Sequence, residues 1–347
     1  MRTHATMAVL LISALFLAAP GRAGEPPLVW VEAFTIPPAH SPIFHVAVKN
    51  PADEPLAGSM SVELPGAWTV VPETADLSLA PGETTRLTFD SEQGEYLASN
   101  RYPVEVTITA RGETTTHRQV VFWAATPFFN PEIDGHIDDW KDAIPITFET
   151  AGKATTVATY WNRRRFSVMV AVEQDALRPP AGAGPFDAVQ IALAADGAAT
   201  GASPDDEAER FEFLLVAAGE GGEGTVYQLA EPGMELARAA EPRPLEGLAV
   251  EGAELAVRHE AGVTYYECSI PFGPMRAAIR PSEGRAYQFS VLVHDPGGAG
   301  LRDLGQAVGL WPSRRNPLAW SRFPGDSFTD TPPYDSKTPW RFISSKY

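Results

Sequence analysis

Acidic side chains occur in close pairs at several loop positions of the sequence. Asp138 and Asp139 are adjacent, as are Asp205 and Asp206, and Asp187 precedes Asp196 by a short strand. Carboxylates and loop carbonyls are the ligands that calcium prefers, so these residues are candidates for a structural calcium site. No contiguous calcium-loop motif is present, and the metal ligands stay unassigned.

Three consecutive arginines, Arg163, Arg164 and Arg165, are unusual in a chain whose formal net charge is -17. Their place between Trp161 and Phe166 predicts a hairpin-like turn. Guanidinium groups bind carboxylate, sulfate and phosphate through paired hydrogen bonds, so the run is a candidate contact for anions such as uronates. The simpler alternative, which we favour, is a solvated turn whose arginines pair with nearby acidic residues.

The sequence contains none of the short motifs that mark common catalytic sites. There is no His-Glu-x-x-His, no Gly-x-Ser-x-Gly and no P-loop, and the histidines are widely spaced. Cys268, the one cysteine, alternates with inward-facing residues of a predicted strand, so we expect a buried thiol rather than a nucleophile. We therefore predict a protein without enzymatic activity.

Residues 1–23 have the features of a secretory signal peptide. Arg2 precedes an apolar run over residues 7–19, and Gly21-Arg22-Ala23 fits a small-x-small cleavage site. The run is short for a transmembrane helix, so we expect an exported protein, periplasmic or extracellular, without membrane insertion. The acidic charge argues against nucleic acid as a partner. With one cysteine, the fold must depend on packing rather than on an intrachain disulfide.

Alternating apolar residues predict strands throughout residues 24–125. Short strands at residues 44–48, 59–64 and 102–110 are separated by turns rich in Pro, Gly and Asn. This spacing is typical of a β-sandwich. Phrases such as Leu79-Ala80-Pro81-Gly82-Glu83 resemble immunoglobulin-like or fibronectin type III-like modules. We expect a spacer or interaction module here, followed by a short linker at residues 124–127.

The rest of the chain also has strand periodicity and no long helical pattern. Apolar residues two positions apart predict strands at residues 158–161, 166–175, 187–193, 211–216, 248–257, 266–272 and 287–293. Residues 219–224 are expected to be a loop. The chain as a whole is thus predicted to be all-β, with two β-sandwich domains in tandem over residues 24–125 and 126–330. Residues 331–347 are expected to dock as an irregular tail.

Several phrases in the second part resemble family 9 carbohydrate-binding modules, within the wider group of DOMON-like sandwiches. The resemblance covers roughly residues 131–325. Its phrases, in order, are Ile133-Asp134-Gly135-His136-Ile137-Asp138-Asp139-Trp140, Trp161-Asn162 with the strand after it, Asp187-Ala188-Val189-Gln190-Ile191, Glu267-Cys268-Ser269-Ile270-Pro271-Phe272, and Asn316-Pro317-Leu318-Ala319-Trp320-Ser321-Arg322-Phe323. The resemblance implies a jelly-roll or DOMON-like sandwich. Members of the family sometimes carry structural calcium, so the resemblance also makes a calcium site possible here.

The family holds the end of a sugar chain between two aromatic rings, with polar side chains on the hydroxyls. The resemblance places Phe186 at the first aromatic position, and Gln190 and Glu212 where the family has Glu and Arg. At the second aromatic position stand Arg314 and Arg315, with Trp311 nearby. The implied carbohydrate site, altered from the family pattern, comprises Phe186, Gln190, Glu212, Trp311 and Arg314.

Some of these aromatic side chains admit a purely structural interpretation. We expect Trp140 and Trp161 to pack in the core, because buried tryptophan is common in such sandwiches. For Phe186, Trp311 and Trp320 the sequence leaves ligand contact and packing open. Phe186 follows a loop rich in Gly and Pro, where a ring could be a stacking platform or a loop anchor.

The leading functional hypothesis is an exported, non-catalytic carbohydrate-binding protein that assists polysaccharide degradation, with a glycan and a separate hydrolase or envelope protein as partners. The departures in the site favour an alternative, an envelope assembly module that keeps the fold without sugar affinity. A third hypothesis is a haem-binding DOMON-like protein with Met169, His136 and His294 as ligands. No spacing of these residues favours haem.

Overall fold

The computed structural model describes residues 24–66, 68–198, 205–219, 222–308, 320–329 and 337–345. Its strands are β1 (Leu28–Val31), β2 (Ile43–Lys49), β3 (Leu56–Glu63), β4 (Thr69–Val71), β5 (Thr74–Leu79), β6 (Thr84–Glu92), β7 (Tyr102–Ala110), β8 (Glu113–Val121), β9 (Ala125–Pro127), β10 (Ile146–Thr150), β11 (Lys153–Trp161), β12 (Arg165–Glu173), β13 (Ala188–Ala195), β14 (Arg210–Ala217), β15 (Gly222–Ala230), β16 (Glu254–Glu260), β17 (Val263–Pro271), β18 (Ala286–Asp295), β19 (Gly300–Asp303) and β20 (Thr338–Ile343).

Helices in these ranges are short. They are α1 (Leu236–Ala239), α2 (Met275–Ile279) and α3 (Leu304–Ala307), with 3₁₀ turns at Pro38–His40 and Ile137–Asp142. None of the helices in the described ranges is long and apolar enough to cross a membrane. The all-β class predicted from the sequence is confirmed.

The first part of the chain forms two four-stranded sheets, ordered β1-β2-β6-β4 and β5-β3-β7-β8. Apolar residues two positions apart point between the sheets, as the period of a strand requires. Val46, Met60, Phe89 and Val106 thus share one buried core. The sandwich is as expected, while its immunoglobulin-like identity stays a prediction.

The second part is built on one larger sheet, ordered β10-β11-β12-β17-β16-β15-β14-β13-β18-β20-β9, with β19 paired to β18. The sheet curls back on itself, so that Val170 of β12, Ile191 of β13 and Phe289 of β18 lie in one core. Trp30 and Phe122 also belong to this core, so the two parts of the chain pack against each other.

The expected linker and tail are regular strands of this larger sheet. β9 is buried along its length and pairs in parallel with β20. Trp340 of β20 is fully buried, and its Nε1 donates to Thr159 Oγ1 at 3.1 Å. Residues 125–127 are therefore no free linker, and residues 338–343 are no irregular strap. The domain boundaries stay predictions.

β15 begins within residues 219–224, which the sequence predicted as a loop, and residues 248–253 of the strand predicted at residues 248–257 lie outside β16. Glycine obscured the β15 pattern, yet one glycine there is required by packing. A Cβ added at Gly224 would lie 2.6 Å from Leu255 Cδ2 and 2.7 Å from the Val216 carbonyl oxygen. A glycine within a strand often marks such a close approach of the backbone and side chains of neighbouring strands.

Candidate functional site

The opening segment of the second part is fastened to the sheet by one buried carboxylate. Glu267 of β17 accepts hydrogen bonds from Trp140 Nε1 and from the Gly135 backbone N–H, both at 2.6 Å. The Trp140 ring stacks on Tyr160 with centroids 4.9 Å apart. Two of the phrases behind the resemblance are thus joined through side chains. The Trp140 side chain is buried against Tyr160, so the core packing predicted for it is confirmed.

A chain of polar side chains crosses the face of strands β14, β13 and β18 that points away from the main core. Glu212 accepts from Arg210 Nε at 2.6 Å and from Gln190 Nε2 at 2.9 Å. The Gln190 Oε1 lies 3.1 Å from His294 Nε2. All four side chains are nearly inaccessible to solvent. We call this set, Arg210, Glu212, Gln190 and His294, the buried network.

The buried network holds the main chain of residues 320–328. Ser321 donates its N–H to Glu212 at 2.8 Å, and its carbonyl accepts from Gln190 Nε2 at 3.0 Å. Ser327 donates its N–H to His294 Nδ1 at 3.3 Å. Because Nδ1 accepts, the imidazole proton lies on Nε2 and is donated to Gln190. The groups expected to contact sugar hydroxyls therefore contact the chain itself.

Phe186 lies under the same segment. Its ring packs on Phe323 with centroids 5.6 Å apart, and its N–H donates to the Gly325 carbonyl at 3.2 Å. The ring is 5% exposed. Phe186 is thus an anchor for the segment in this structure.

The structure brings Phe186, Gln190 and Glu212 to one face, as the resemblance implied, but covers all three. Trp311 and Arg314, together with Arg315, lie outside the described residues. The role of these five residues in sugar binding stays a prediction. Trp161 is buried, with its Nε1 donating to the Ile343 carbonyl at 2.9 Å, so the packing prediction for it is confirmed.

The three haem-ligand candidates do not converge. Burial lowers the pKa of His294 to about 4, so its imidazole is neutral at physiological pH, and both nitrogens are engaged in the buried network. Met169 packs beside Trp140, while His136 is exposed and lies 2.8 Å from Arg258. Within the described ranges no three His, Cys, Asp or Glu side chains form a cluster suited to a metal ion. Calcium stays an untested prediction.

Cys268 is fully buried on β17, as expected. Burial raises the pKa of its thiol, because the thiolate loses its hydration there. A thiol that resists ionisation is a poor nucleophile. Cys268 is therefore a packing residue.

Asp187, from the third phrase of the resemblance, is a buried carboxylate with an incomplete set of partners. One oxygen accepts from the Arg178 N–H at 2.6 Å and from Gln174 Nε2 at 3.1 Å, while Oδ1 has no hydrogen-bond partner. Burial raises the pKa of Asp187 to about 6, against an ordinary value of 3.8. The folded protein thus binds a proton at the Asp187 carboxylate more tightly than the unfolded chain does.

We predict that Asp187→Asn removes a pH-dependent loss of stability. A raised pKa gives stability that is complete below about pH 4 and is lost as the pH rises through about 6. With allowance for solvent screening, the wild type should lose about 2 kcal/mol relative to Asp187→Asn across this range. Urea unfolding of both proteins at pH 4, 5, 6 and 7 measures the difference. Parallel pH curves for the two proteins would contradict the assignment.

The arginine run forms the turn between β11 and β12, with Arg163 and Arg164 at its tip. Asn162 fixes this turn. Its N–H donates to the Arg165 carbonyl at 3.0 Å, and its side-chain oxygen accepts from the N–H groups of Arg164 and Arg165 at 2.8 and 2.9 Å. Three hydrogen bonds of Asn162 therefore hold the backbone of the tip.

The side chains of the three arginines differ in their partners. Arg165 donates to Ser269 Oγ at 2.7 Å and lies 3.3 Å from the Glu254 carboxylate. Arg163 and Arg164 are exposed, and neither guanidinium has an ion-pair partner among the residues the structure describes. The ion-paired turn that we favoured is confirmed for Arg165 alone.

Two exposed phenylalanines lie beside this turn. Phe128 and Phe129 are 44% and 43% exposed. The Phe128 ring meets Trp161 edge-on with centroids 5.1 Å apart, and the Phe129 ring lies 5.0 Å from Tyr160. The two rings lie on opposite sides of the end of β11, since Trp161 faces the main core and Tyr160 faces the Trp140 cluster.

An amide pair connects the rings to the turn. Asn162 Nδ2 donates to Asn130 Oδ1 at 2.7 Å, and Phe129 donates its N–H to the Trp161 carbonyl at 3.0 Å. We call this surface, Phe128, Phe129, Asn130, Asn162, Arg163 and Arg164, the hairpin edge. Sequence reasoning found its arginines and missed its rings, because phenylalanine is among the residue types most often buried.

An open cleft of about 760 Å³ lies elsewhere in the second part, bounded by the end of β15, residues 247–251 and the start of α2. Its charged lining is mixed and includes Glu231, Glu251, Arg238 and Arg243. No lining residue is aromatic. The cleft has the size of a small-ligand site but lacks a ring on which a sugar could stack.

The sequence matches no family model and no curated protein. The solved structures with a similar arrangement include two family 9 carbohydrate-binding modules from Caldicellulosiruptor kristjanssonii. The one in complex with glucose is 13% identical, with a TM-score of 0.39, and the match covers 63% of this chain and 95% of that chain. The one in complex with cellotriose is 13% identical, with a TM-score of 0.40, and the match covers 64% and 93%.

Proposed function

We propose that this chain is an exported, non-catalytic carbohydrate-binding protein that assists polysaccharide degradation. The sequence resemblance to family 9 modules supports this proposal, as does the link that Glu267 makes between two of the phrases. The observation that carries it is the hairpin edge, where exposed aromatic rings lie beside amide and guanidinium groups.

A sugar ring has an apolar C–H face and a rim of hydroxyls, so its receptor needs a flat ring and directed polar groups. Phe128 and Phe129 offer such rings, each held in place by a buried aromatic neighbour. Asn130 keeps its amide N–H₂ for a ligand, because its oxygen already accepts from Asn162. The hairpin edge thus supplies both requirements without a change in the fold.

The buried network is a weaker candidate for this function. Residues 320–328 cover it with Trp320, Phe323 and Phe328, which are all buried. Exposing a side chain of this size costs roughly 2 kcal/mol, so displacing the segment would cost several. A sugar would have to offset that cost before it bound. Binding of a sugar at the hairpin edge does not require any segment of the chain to be displaced.

We predict that Phe128→Ala and Phe129→Ala weaken glycan binding. At whichever ring supports the sugar, loss of stacking and apolar contact should weaken binding about tenfold. The measurement is a glycan array with residues 24–347, followed by titration of the strongest glycan. Ile43→Ala is the matched control, because Ile43 is a comparably exposed apolar side chain, 46% exposed, in the first sheet. Wild-type affinity in both phenylalanine variants would refute the hairpin edge as the sugar site.

A second candidate function is an assembly module that keeps the fold without sugar affinity. The observation that favours it is the occupation of the implied sugar face by the chain itself, through Ser321 and Ser327. An array without any bound glycan, from protein shown to be folded by its cooperative unfolding, would transfer the assignment to this candidate.

A further inference from the structure

We propose that the hairpin edge selects acidic polysaccharides, which carry carboxylate or sulfate groups along the sugar chain. This inference rests on the proposed function and adds the ligand class to it. It stands on the exposure of Arg163 and Arg164, on the hydrogen-bonded turn beneath them, and on the aromatic rings beside them.

The tip of the turn is clamped from the rest of the sheet. The Arg164 carbonyl accepts the Phe272 N–H at 2.8 Å, and the Arg163 carbonyl accepts from Arg276 Nη2. The Arg276 guanidinium also lies 5.9 Å from the centre of the Phe272 ring. A fixed backbone means that binding a ligand costs conformational freedom only in the two tip side chains.

The charge of this surface opposes that of the whole chain. The net charge is -17, yet Arg163, Arg164 and Arg276 come together at one edge, and exposed Arg280 directly follows α2, the helix that carries Arg276. Some arginines of this acidic protein have a carboxylate beside them, as Arg165, Arg118 and Arg322 do. The two tip guanidinium groups lack one within the described ranges, so their five N–H donors each are open to an anion.

The ligand chemistry follows from the combination of groups. Guanidinium forks pair with carboxylate or sulfate oxygens through parallel hydrogen bonds, which a neutral hydroxyl cannot match in charge. A ring of Phe128 or Phe129 contacts the C–H face of a sugar. An acidic polysaccharide repeats both an anionic group and an apolar sugar face. It therefore matches this surface better than a neutral glucan, a free anion or a lipid headgroup does.

The test compares polymers that differ only in charge. Affinity electrophoresis of residues 24–347 is run in gels with polygalacturonate, highly methyl-esterified pectin, dextran sulfate or dextran. We expect polygalacturonate or dextran sulfate to retard the protein, and each neutral counterpart to retard it at least about fivefold less. Raising the salt from about 0.05 to 0.5 M should weaken the retardation, because exposed charges are screened.

The decisive variant is Arg163→Gln/Arg164→Gln, which should weaken binding of the acidic polymer about tenfold. Its matched control is Arg111→Gln/Arg118→Gln, which removes the same charge from exposed sites on the first sandwich. Equal loss in both double variants would mean a general charge effect and would overturn the inference.

The remaining outcomes separate this inference from the proposed function. Equal retardation by a polymer and its neutral counterpart, with loss in Phe128→Ala or Phe129→Ala, would refute the acidic class and leave glycan binding in place. Binding of anionic phosphatidylglycerol vesicles in place of polymers would assign the arginines to a lipid surface and overturn the inference. No retardation by any polymer, together with an empty array, would overturn both.

Discussion

Glu267→Ala is expected to lower the free energy of unfolding by about 4 kcal/mol, because it leaves two buried donors without an acceptor. Each charge-assisted hydrogen bond of this kind contributes about 1.5–3 kcal/mol. The donors are Trp140 Nε1 and the Gly135 N–H, and Glu267 itself is inaccessible to solvent. Urea unfolding measures the loss. Amide hydrogen exchange at Gly135 should quicken more than at residues of the first sandwich.

A double-mutant cycle separates the carboxylate from the space that it fills. Trp140→Phe keeps a six-membered ring beside Tyr160 and removes the indole donor with part of the ring, so it should cost about 2 kcal/mol, and less in the Glu267→Ala background. Glu132→Ala is the control, because this exposed carboxylate lies in the same segment and its removal should change stability by less than about 0.5 kcal/mol. Additive losses at Trp140 and Glu267 would show that the carboxylate does not fasten the segment through Trp140.

Sequence reasoning was most accurate where one strand period decides the outcome. Val168, Val170 and Val172 enter the core of the second part, as their alternation predicts. The same period failed at β15, where Gly222 and Gly224 interrupt the pattern. The reason for Gly224 lies in the Val216 carbonyl of the neighbouring strand and in Leu255, which is 31 residues away and outside any local window.

The site was harder to predict because its accessibility depends on distant residues. The resemblance placed Phe186, Gln190 and Glu212 on a common face, and they do share one. Ser321, which covers that face, lies more than a hundred residues from both Gln190 and Glu212. A buried donor or acceptor needs a partner, but the sequence does not say whether the partner is a sugar hydroxyl or a peptide group.

The hairpin edge shows the opposite error. The sequence predicts the turn. It also favours ion pairing for all three arginines, because ion pairs are common on protein surfaces and contribute little. Only Arg165 has the expected carboxylate, because its strand position turns it toward Ser269 and Glu254. The tip positions of a two-residue turn point away from the sheet. Arg163 and Arg164 therefore stay exposed for a geometric reason that the sequence alone could suggest but not establish.

The segment over the buried network depends on one glycine, and Gly325→Ala is expected to destabilise the protein by about 3 kcal/mol. Gly325 has φ +87, a conformation that favours glycine. A Cβ there would lie 2.5 Å from Phe186 Cε1 and 3.0 Å from the Gly184 carbonyl oxygen. Urea unfolding reports the loss. Exchange of the Ser321 and Ser327 amides should quicken as their bonds to Glu212 and His294 weaken.

Two further variants separate backbone strain from the clash with the ring. Gly262 has a similar φ of +80 and open space around it, so Gly262→Ala should cost only the strain, about 1 kcal/mol. In a Phe186→Ala background, Gly325→Ala should lose most of its extra cost, because the ring that the methyl group meets is gone. If Gly325→Ala costs the same with and without the Phe186 ring, then residues 320–328 do not depend on Phe186. The segment would then be held by contacts other than the Phe186 ring, among them those that Glu212, Gln190 and His294 make with it.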